Sequence, residues 1–420
     1  KRVTQQTQDL IQCQRLLQPI DQRKNFLRKK LLQDKLFFMK KTLLLLSVIL
    51  LGAASMIVQK TSGDVQMFNP VMTGVTSLTI APDSRAGAMG DEGAATDPDV
   101  NSQYWNPAKY PFAISPAGFS LAYTPWLRQL VSDIDLANLV GYYRIGDYQA
   151  ISASLTYFSL GEVWVDDFTI KPYEMAVDFA YSRMLSETFS AAVGLRYIIS
   201  DLNFNFDEDT SVGNAFAADI ALFYTNYLML GRRECLFNLG MNASNIGSKI
   251  SHDGGNTNQF IPTNLRLGAS FMVPIDEYNT ISFSADVNKL MVPTKPSYRQ
   301  FLEENYSDLG LSEPEDDSYS FASEYQSWLD ASGYNDISPI SGIFKSFADA
   351  PGGFKEELQE IYWGVGVEYA YNNQFFLRGG YHYENEYKGN RKYFTLGAGF
   401  KMSVCSLDAA YLISRAQSKP

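Results

Sequence analysis

Glu174–Ser200 reads EMAVDFAYSRMLSETFSAAVGLRYIIS, and this stretch decides the fold. Met175, Val177, Phe179 and Tyr181 alternate with Ala176, Asp178 and Ala180. After a short break, Phe189, Ala191, Val193, Leu195 and Tyr197 alternate with Ser190, Ala192, Gly194 and Arg196. A period of two belongs to a strand with unlike faces, because successive side chains leave opposite sides of the pleat. One face is greasy and the other small or charged, so the two face different media. Each segment also has the ~10 residues that a tilted strand needs to cross a bilayer.

The pattern repeats in both directions from there. Thirteen segments read as strands: 116–124, 136–146, 148–159, 174–185, 189–200, 214–225, 235–246, 263–273, 279–290, 360–371, 374–384, 391–402 and 404–413. Leu265, Leu267, Ala269, Phe271 and Val273 face away from Arg266, Gly268 and Ser270, and Ile281, Phe283, Ala285 and Val287 from Ser282, Ser284, Asp286 and Asn288. The fold class expected is therefore all-β, an antiparallel transmembrane barrel. Single-chain bacterial barrels use even strand numbers, and Lys419-Pro420 ends the sequence without an apolar, aromatic-ended strand, so a closing strand is expected beyond the thirteen. A soluble sandwich or propeller would alternate too. Against it stand the membrane-crossing lengths, the Arg, Asp and Asn on the non-apolar face, and the lack of a blade-sized repeat. An aromatic content of 14%, with 26 Tyr and 27 Phe, suits interfacial girdles.

The connections are unequal. Ile145-Gly146-Asp147 and Ala370-Tyr371-Asn372-Asn373 are tight, as periplasmic turns should be, whereas Val292–Glu360 is a 69-residue outer loop with 14 Asp/Glu and 4 Lys/Arg. Within it Ile340, Ile343, Phe344 and Phe347 recur at helical spacing behind Ser338-Pro339, which predicts a short amphipathic helix opened by a proline. Such an apolar face must be covered by the barrel rim or by another protein.

The sequence opens with a basic, Gln-rich stretch, residues 1–38, read as a leader from upstream of the gene. Met39-Lys40-Lys41, the apolar run Leu43–Leu51 and Gly52-Ala53-Ala54 then make a complete export signal, assigned to residues 39–63. Cleavage after Ala54 or after Gly63 fits equally, and no cysteine between Ala53 and Asp64 would take a lipid anchor. Residues 1–60 hold 12 of the 35 Lys/Arg and 3 of the 46 Asp/Glu, so the remainder carries 23 basic and 43 acidic side chains, net −20. That field argues against a nucleic-acid partner. Cys235 and Cys405 would remain after cleavage, as small apolar strand residues or as a disulfide.

Nothing points to catalysis. The only two histidines, His252 in Ser251-His252-Asp253-Gly254-Gly255 and His382, lack metal-ligand spacing and a nucleophile-elbow frame. Acidic runs Asp207-Glu208-Asp209 and Glu313-Pro314-Glu315-Asp316-Asp317 lack the spacing of a calcium loop. No cofactor is expected, no metal is expected, and the chain is not expected to be an enzyme.

Residues 64–110, DVQMFNPVMTGVTSLTIAPDSRAGAMGDEGAATDPDVNSQYWNPAKY, are too glycine-rich and polar for a strand. Asn69-Pro70-Val71 with Thr73-Gly74-Val75, Ala81-Pro82-Asp83-Ser84-Arg85, Gly87-Ala88-Met89-Gly90-Asp91 and Tyr104-Trp105-Asn106-Pro107-Ala108-Lys109 resemble the opening segment of the PorV family of type IX secretion proteins. So do Asn245-Ile246-Gly247, Pro262-Thr263-Asn264-Leu265-Arg266-Leu267-Gly268, Gly379-Gly380-Tyr381 and Gly389–Lys401. The Asn106-Pro107-Ala108 element is shared with the wider FadL-like channels. The resemblance implies a FadL-like barrel of about fourteen strands in the cell outer membrane, with residues 64–115 ahead of a 116–420 barrel as a hatch folded inside or beneath it, the alternative being a solvated periplasmic segment. It implies Asn69, Pro70, Gly74, Asp83, Arg85, Gly87, Gly90, Asn106, Pro107 and Ala108 as hatch positions. It further implies, as partners, the translocon (SprA/Sov-like), secreted proteins bearing a C-terminal signal domain, and the PorU sortase with its attachment complex, alongside outer-membrane lipid. Independently of the family, Gly74, Gly87, Gly90 and Gly93 would let the backbone turn tightly in a narrow lumen. Arg85, Asp83 and Asp91 would pair with lumen charges such as Arg196, Asp178 or Asp286. The alternative function is a FadL-like channel for hydrophobic small molecules, with a barrel lipid-deacylase a distant third.

Overall fold

The computed structural model describes residues 68–126, 133–165, 168–202, 211–255, 258–296, 298–305 and 318–414. The described residues begin with short turns, among them helices α1 (Ser84–Gly87) and α2 (Ser102–Trp105), and then turn to strands. These are β1 (Ala117–Pro125), β2 (Asp135–Ile145), β3 (Gln149–Ser159), β4 (Val163–Val165), β5 (Phe168–Ile170), β6 (Tyr173–Ser186), β7 (Phe189–Asp201), β8 (Gly213–Leu230), β9 (Arg233–Gly247), β10 (Asn264–Pro274) and β11 (Asn279–Leu290). Helices α3 (Tyr298–Asn305), α4 (Ser318–Ala331), α5 (Pro339–Lys345) and α6 (Phe354–Gln359) follow, then β12 (Ile361–Tyr371), β13 (Phe375–Tyr383), β14 (Lys392–Lys401) and β15 (Ser406–Ser414). Strands β4 and β5 form a separate hairpin. The other thirteen make one antiparallel sheet in chain order, with β1 and β15 at its edges.

Each of the thirteen expected segments is one of these sheet strands. The β4–β5 hairpin was not expected; its three-residue strands are too short to show a period. No closing strand beyond the thirteenth is found among the described residues, and the leader, the export signal and the acidic runs at 207–209 and 313–317 lie outside them.

Alternation became burial. Glu174, Ala176, Asp178, Ala180 and Ser182 of β6 are buried, while Phe179 and Tyr181 between them are exposed, as are Val193 and Leu195 of β7. A large apolar outer surface on a sheet of this size is stable only against hydrocarbon, and each strand between the two edges makes its ladder hydrogen bonds to a neighbour on both sides, as lipid requires.

One end of the sheet carries tight turns. Asn372 and Asn373 both take positive φ, 53° and 51°, and Gln374 N donates to Tyr371 O at 3.0 Å, the geometry that matches the strand twist of a hairpin. Gly146 (φ 69°) does the same between β2 and β3. The opposite end carries the long connections, including the 291–360 segment. That distribution, tight turns at one end and long connections at the other, is the one such barrels show between their periplasmic and outer ends.

Residues 68–115 fill the concave side and touch every one of the thirteen strands. Val100 lies beside Gly118 of β1, Tyr110 stacks on Tyr142 of β2, and Ser152 of β3 bonds Gln103. Ser77 N bonds Glu174 of β6, Ser190 of β7 donates to Ala108 O, and Asn106 donates to Leu222 O of β8. Asn242 of β9, Ser270 of β10 and Asp286 of β11 bond Trp105, Ala95 and Gly93. Glu368, His382 and Thr395 of β12 to β14 bond Arg85 and Gly90, and α1 packs on β15. A flat thirteen-stranded sheet would be roughly 60 Å wide at ~4.8 Å per strand. One compact segment reaches all of it only because the sheet curls around it into a barrel wall.

Candidate functional site

The buried apolar clusters join this internal strap to the wall. Val75 and Leu78 pack with Ile198 and Ile250, Ile80 with Leu136 and Phe158, Ala108 with Ala192 and Phe223, and Val71 with Phe260 and Val292. Between them the strap turns by local capping. Asp83 accepts Ala86 N at 3.0 Å to start α1, and its other oxygen accepts Trp105 Nε1 at 2.6 Å. Asn106 accepts Ala108 N at 3.0 Å and donates to Ala94 O and Leu222 O, each at 2.9 Å, with Pro107 and fully buried Ala108 following in a 3₁₀ turn.

The wall is cut to fit. A Cβ on Gly380 would sit 2.2 Å from the Met89 carbonyl carbon, and one on Gly240 would sit 1.9 Å from Ala94 O, so both positions need glycine for the backbone to approach. Gly90 (φ 80°) lies against Tyr381 O and Val365 O, and Gly93 against the Trp105 ring. Gly74 lies against Ile250 and bonds Phe260 O through its amide at 2.8 Å. Gly87 departs from the expectation: its nearest prospective contact is Asp91 Oδ1 at 4.0 Å, so no close approach demands glycine there.

The ion pairs differ from those expected. Arg85 binds Glu368 and Asp99, not Asp178 or Asp286. Arg196 is held within the wall by Asp178 and Asp219, because Asp178 stands directly opposite it in the β6–β7 register. Asp286 accepts Gly93 N and Ala94 N at 2.7 and 2.9 Å, and Asp91 accepts Tyr393 OH. Sequence reasoning missed Glu92, Lys109, Asp99 and Glu368. Lys109 is fully buried and donates to Gly93 O and Thr96 Oγ1; a lone lysine within a motif gives no sign of burial.

At the long-loop end, Asn69 N donates to Tyr387 O at 2.8 Å and Asn69 Nδ2 reaches Glu356 at 3.5 Å, with Pro70 next to it. The outer loop is bolted down by Lys289, which binds Glu357 and Glu360, and Lys388, which binds Glu356 and Glu360. Burial pushes the Asp349 carboxyl up to about 6, against the Thr294 amide that it accepts and with the charges of Glu357 and Glu360 adding to the rise.

Helix α5 starts as expected, with Ser338 accepting Ser341 N and Pro339 first, but four helices occupy the described part of this loop where one was expected. Its packed side is also the reverse of an ordinary amphipathic helix. Small Gly342 and Ser346 are buried, with Gly342 against Phe260 and Pro293, while Ile340, Phe344 and Phe347 are 66%, 75% and 48% exposed and Ile343 is half-buried. The barrel rim does not cover those three.

His252 Nε2 bonds Ser200, which is fully buried, and Ser251 bonds Asp253, so no histidine here addresses an accessible serine. Cys235 is buried and Cys405 exposed, and both are free thiols.

Residues 64–297, more than half of the chain, match the family described as type IX secretion system protein PorV. The chain belongs to the PorV family. It is accordingly an outer-membrane protein with a role in type IX secretion, in a family of secretion components rather than enzymes. No curated protein matches it. Among solved structures it is similar to a Pseudomonas aeruginosa FadL homologue, at 11% identity over 82% of this chain and 90% of that one, with a TM-score of 0.37. The Pseudomonas putida toluene transporter TodX is similar at 9% identity over 82% and 91%, with a TM-score of 0.36. At that level of overlap neither locates a residue in this family member.

Proposed function

We propose that this protein takes up secreted proteins by their C-terminal signal domain at the translocon and hands them to the sortase and attachment complex, using its outer loops and not its lumen. The observation that supports this reading is the contrast between the two places. The lumen is occupied by a strap pinned to every strand, and two cavities beside it, of about 10 and 30 Å³, have room for one or two waters. The loop face instead presents Ile340 and Phe344 on α5, Phe347 in the turn after it, and Phe354 and Leu358 on α6, all exposed. An apolar surface on a rim of acidic loops is what a protein partner covers.

The competing reading, a channel for hydrophobic small molecules, needs an apolar cavity and a hatch that moves; the polar pinning of the strap favours neither. The test is deletion of 338–350 with barrel assembly verified by heat-modifiable gel migration. Loss of secretion and surface attachment of proteins bearing the C-terminal signal is expected. Normal secretion in an assembled deletion would remove α5 from the docking surface.

A further inference from the structure

The strap has a direction. Its first described residues are tied to long-loop segments: Asn69 to Tyr387 and Glu356, Gly74 to Phe260, and Val71 into the Phe260, Val292 and Tyr334 cluster. Its last residues are tied to the tight-turn end, where Arg144 Nη1 donates to Ala113 O at 2.7 Å, Arg144 N to Pro116 O at 2.7 Å, and Tyr142 OH to Ser115 O at 3.0 Å. Strand β1 then starts from that end. The chain therefore crosses the whole lumen once before the first strand is laid down.

From this geometry we infer that the start of the strap, Phe68 to Met72, lies outside the cell as part of the loop face, with the sheet curled around a strap threaded through it. The inference rests on the outward orientation of the long loops in the proposed function. Phe68 and Met72 are already exposed there, at 62% and 60%.

Labelling with a membrane-impermeant maleimide on whole cells tests this, because Cys405 is an exposed thiol in the β14–β15 tight turn and marks the inner side. The proteins compared are the unaltered chain, Phe68→Cys with Cys405→Ser, and Phe344→Cys with Cys405→Ser, each also labelled after permeabilisation and after denaturation to measure total thiol. Phe68→Cys is expected to label in intact cells to the same fraction as Phe344→Cys, and Cys405 only after permeabilisation. Phe68→Cys protected in intact cells while Phe344→Cys labels would overturn the threading and leave the loop-face reading standing. Cys405 labelled in intact cells while Phe344→Cys is protected would reverse the barrel and overturn both.

Discussion

Arg85 in the strap and Glu368 on β12 form a two-pronged ion pair across 283 residues of sequence, Nε to Oε2 at 3.2 Å and Nη2 to Oε1 at 3.0 Å. Arg378 of β13 shares the same carboxylate at 2.6 Å. Strap and wall are thereby joined through one buried charge cluster, whose geometry is fixed by the β12–β13 register that sets Glu368 opposite Arg378.

Removing one partner of that cluster leaves uncompensated charge in a low-dielectric site, at a cost of about 3–5 kcal/mol. Arg85→Met should lower the temperature at which the folded gel band converts to the unfolded one. Glu368 keeps Arg378, so the carboxylate left without a cation is Asp99, and the double variant Arg85→Met with Asp99→Asn should recover part of the loss. Equal midpoints for Arg85→Met and the unaltered protein would mean the pair contributes nothing to strap retention.

Gly380 is where wall and strap backbones come closest on β13. Gly380→Val drives two methyl groups into Met89 and Gly90, which cannot move without giving up the Gly90 N bond to Thr395. The expected outcome is a displaced strap in an intact sheet, read as single-channel conductance in planar bilayers where the unaltered protein shows little. Gly87→Ala, with open space around it, should behave as the unaltered protein and serves as the control.

Asn106 combines a cap acceptor with two donors, and only some substitutions separate them. Asn106→Asp keeps the acceptor for Ala108 N but loses the bonds to Ala94 O and Leu222 O and buries a charge; Asn106→Ala loses all three. Both should destabilise by about 1–3 kcal/mol per orphaned group, and Asn106→Asp should be rescued at low pH, where the new carboxyl is protonated. Melting midpoints for Asn106→Asp that do not rise on acidification would refute the burial argument.

The outer loop should loosen as pH rises through the range from about 4 to 6. Asp349 holds its proton to about 6 in the folded loop but only to its ordinary value near 3.8 when the loop opens. Between those values the folded loop binds more protons than the open one, so its stability falls with increasing pH. Hydrogen exchange at Thr294 N, the amide that Asp349 accepts, should show more frequent opening at pH 7 than at pH 4.5 after correction for intrinsic rates. Asp349→Asn should flatten that difference.

The strands were legible because each is long and keeps one face in lipid, so the period survives in the residues themselves; Met175–Tyr181 shows it without help. The Asn372-Asn373 turn was legible for a local reason, since both residues tolerate positive φ. The proline-led start of α5 was equally visible, but not which face would pack. A helical wheel places Ile340, Phe344 and Phe347 inward, and the structure places Gly342 and Ser346 there because Phe260 and Pro293 approach too closely for larger side chains. The Arg85 partner was illegible for a different reason. Asp178, Asp286 and Glu368 all face the lumen, and only the curl of the sheet and the path of the strap bring one of them to Arg85.

By itself the sequence determined what depends on neighbours along the chain. The strand periods, the tight turns, the caps at Asp83, Asn106 and Ser338, and the motifs of an outer-membrane type IX secretion family are all of that kind. The tertiary structure alone decided that the lumen is filled, in which direction the strap crosses it, and that an apolar helix face is left to the outside. These depend on contacts between residues hundreds of positions apart, where a backbone approach of a few ångströms at Gly380 or Gly240 selects one arrangement, and no local pattern in the chain encodes such an approach.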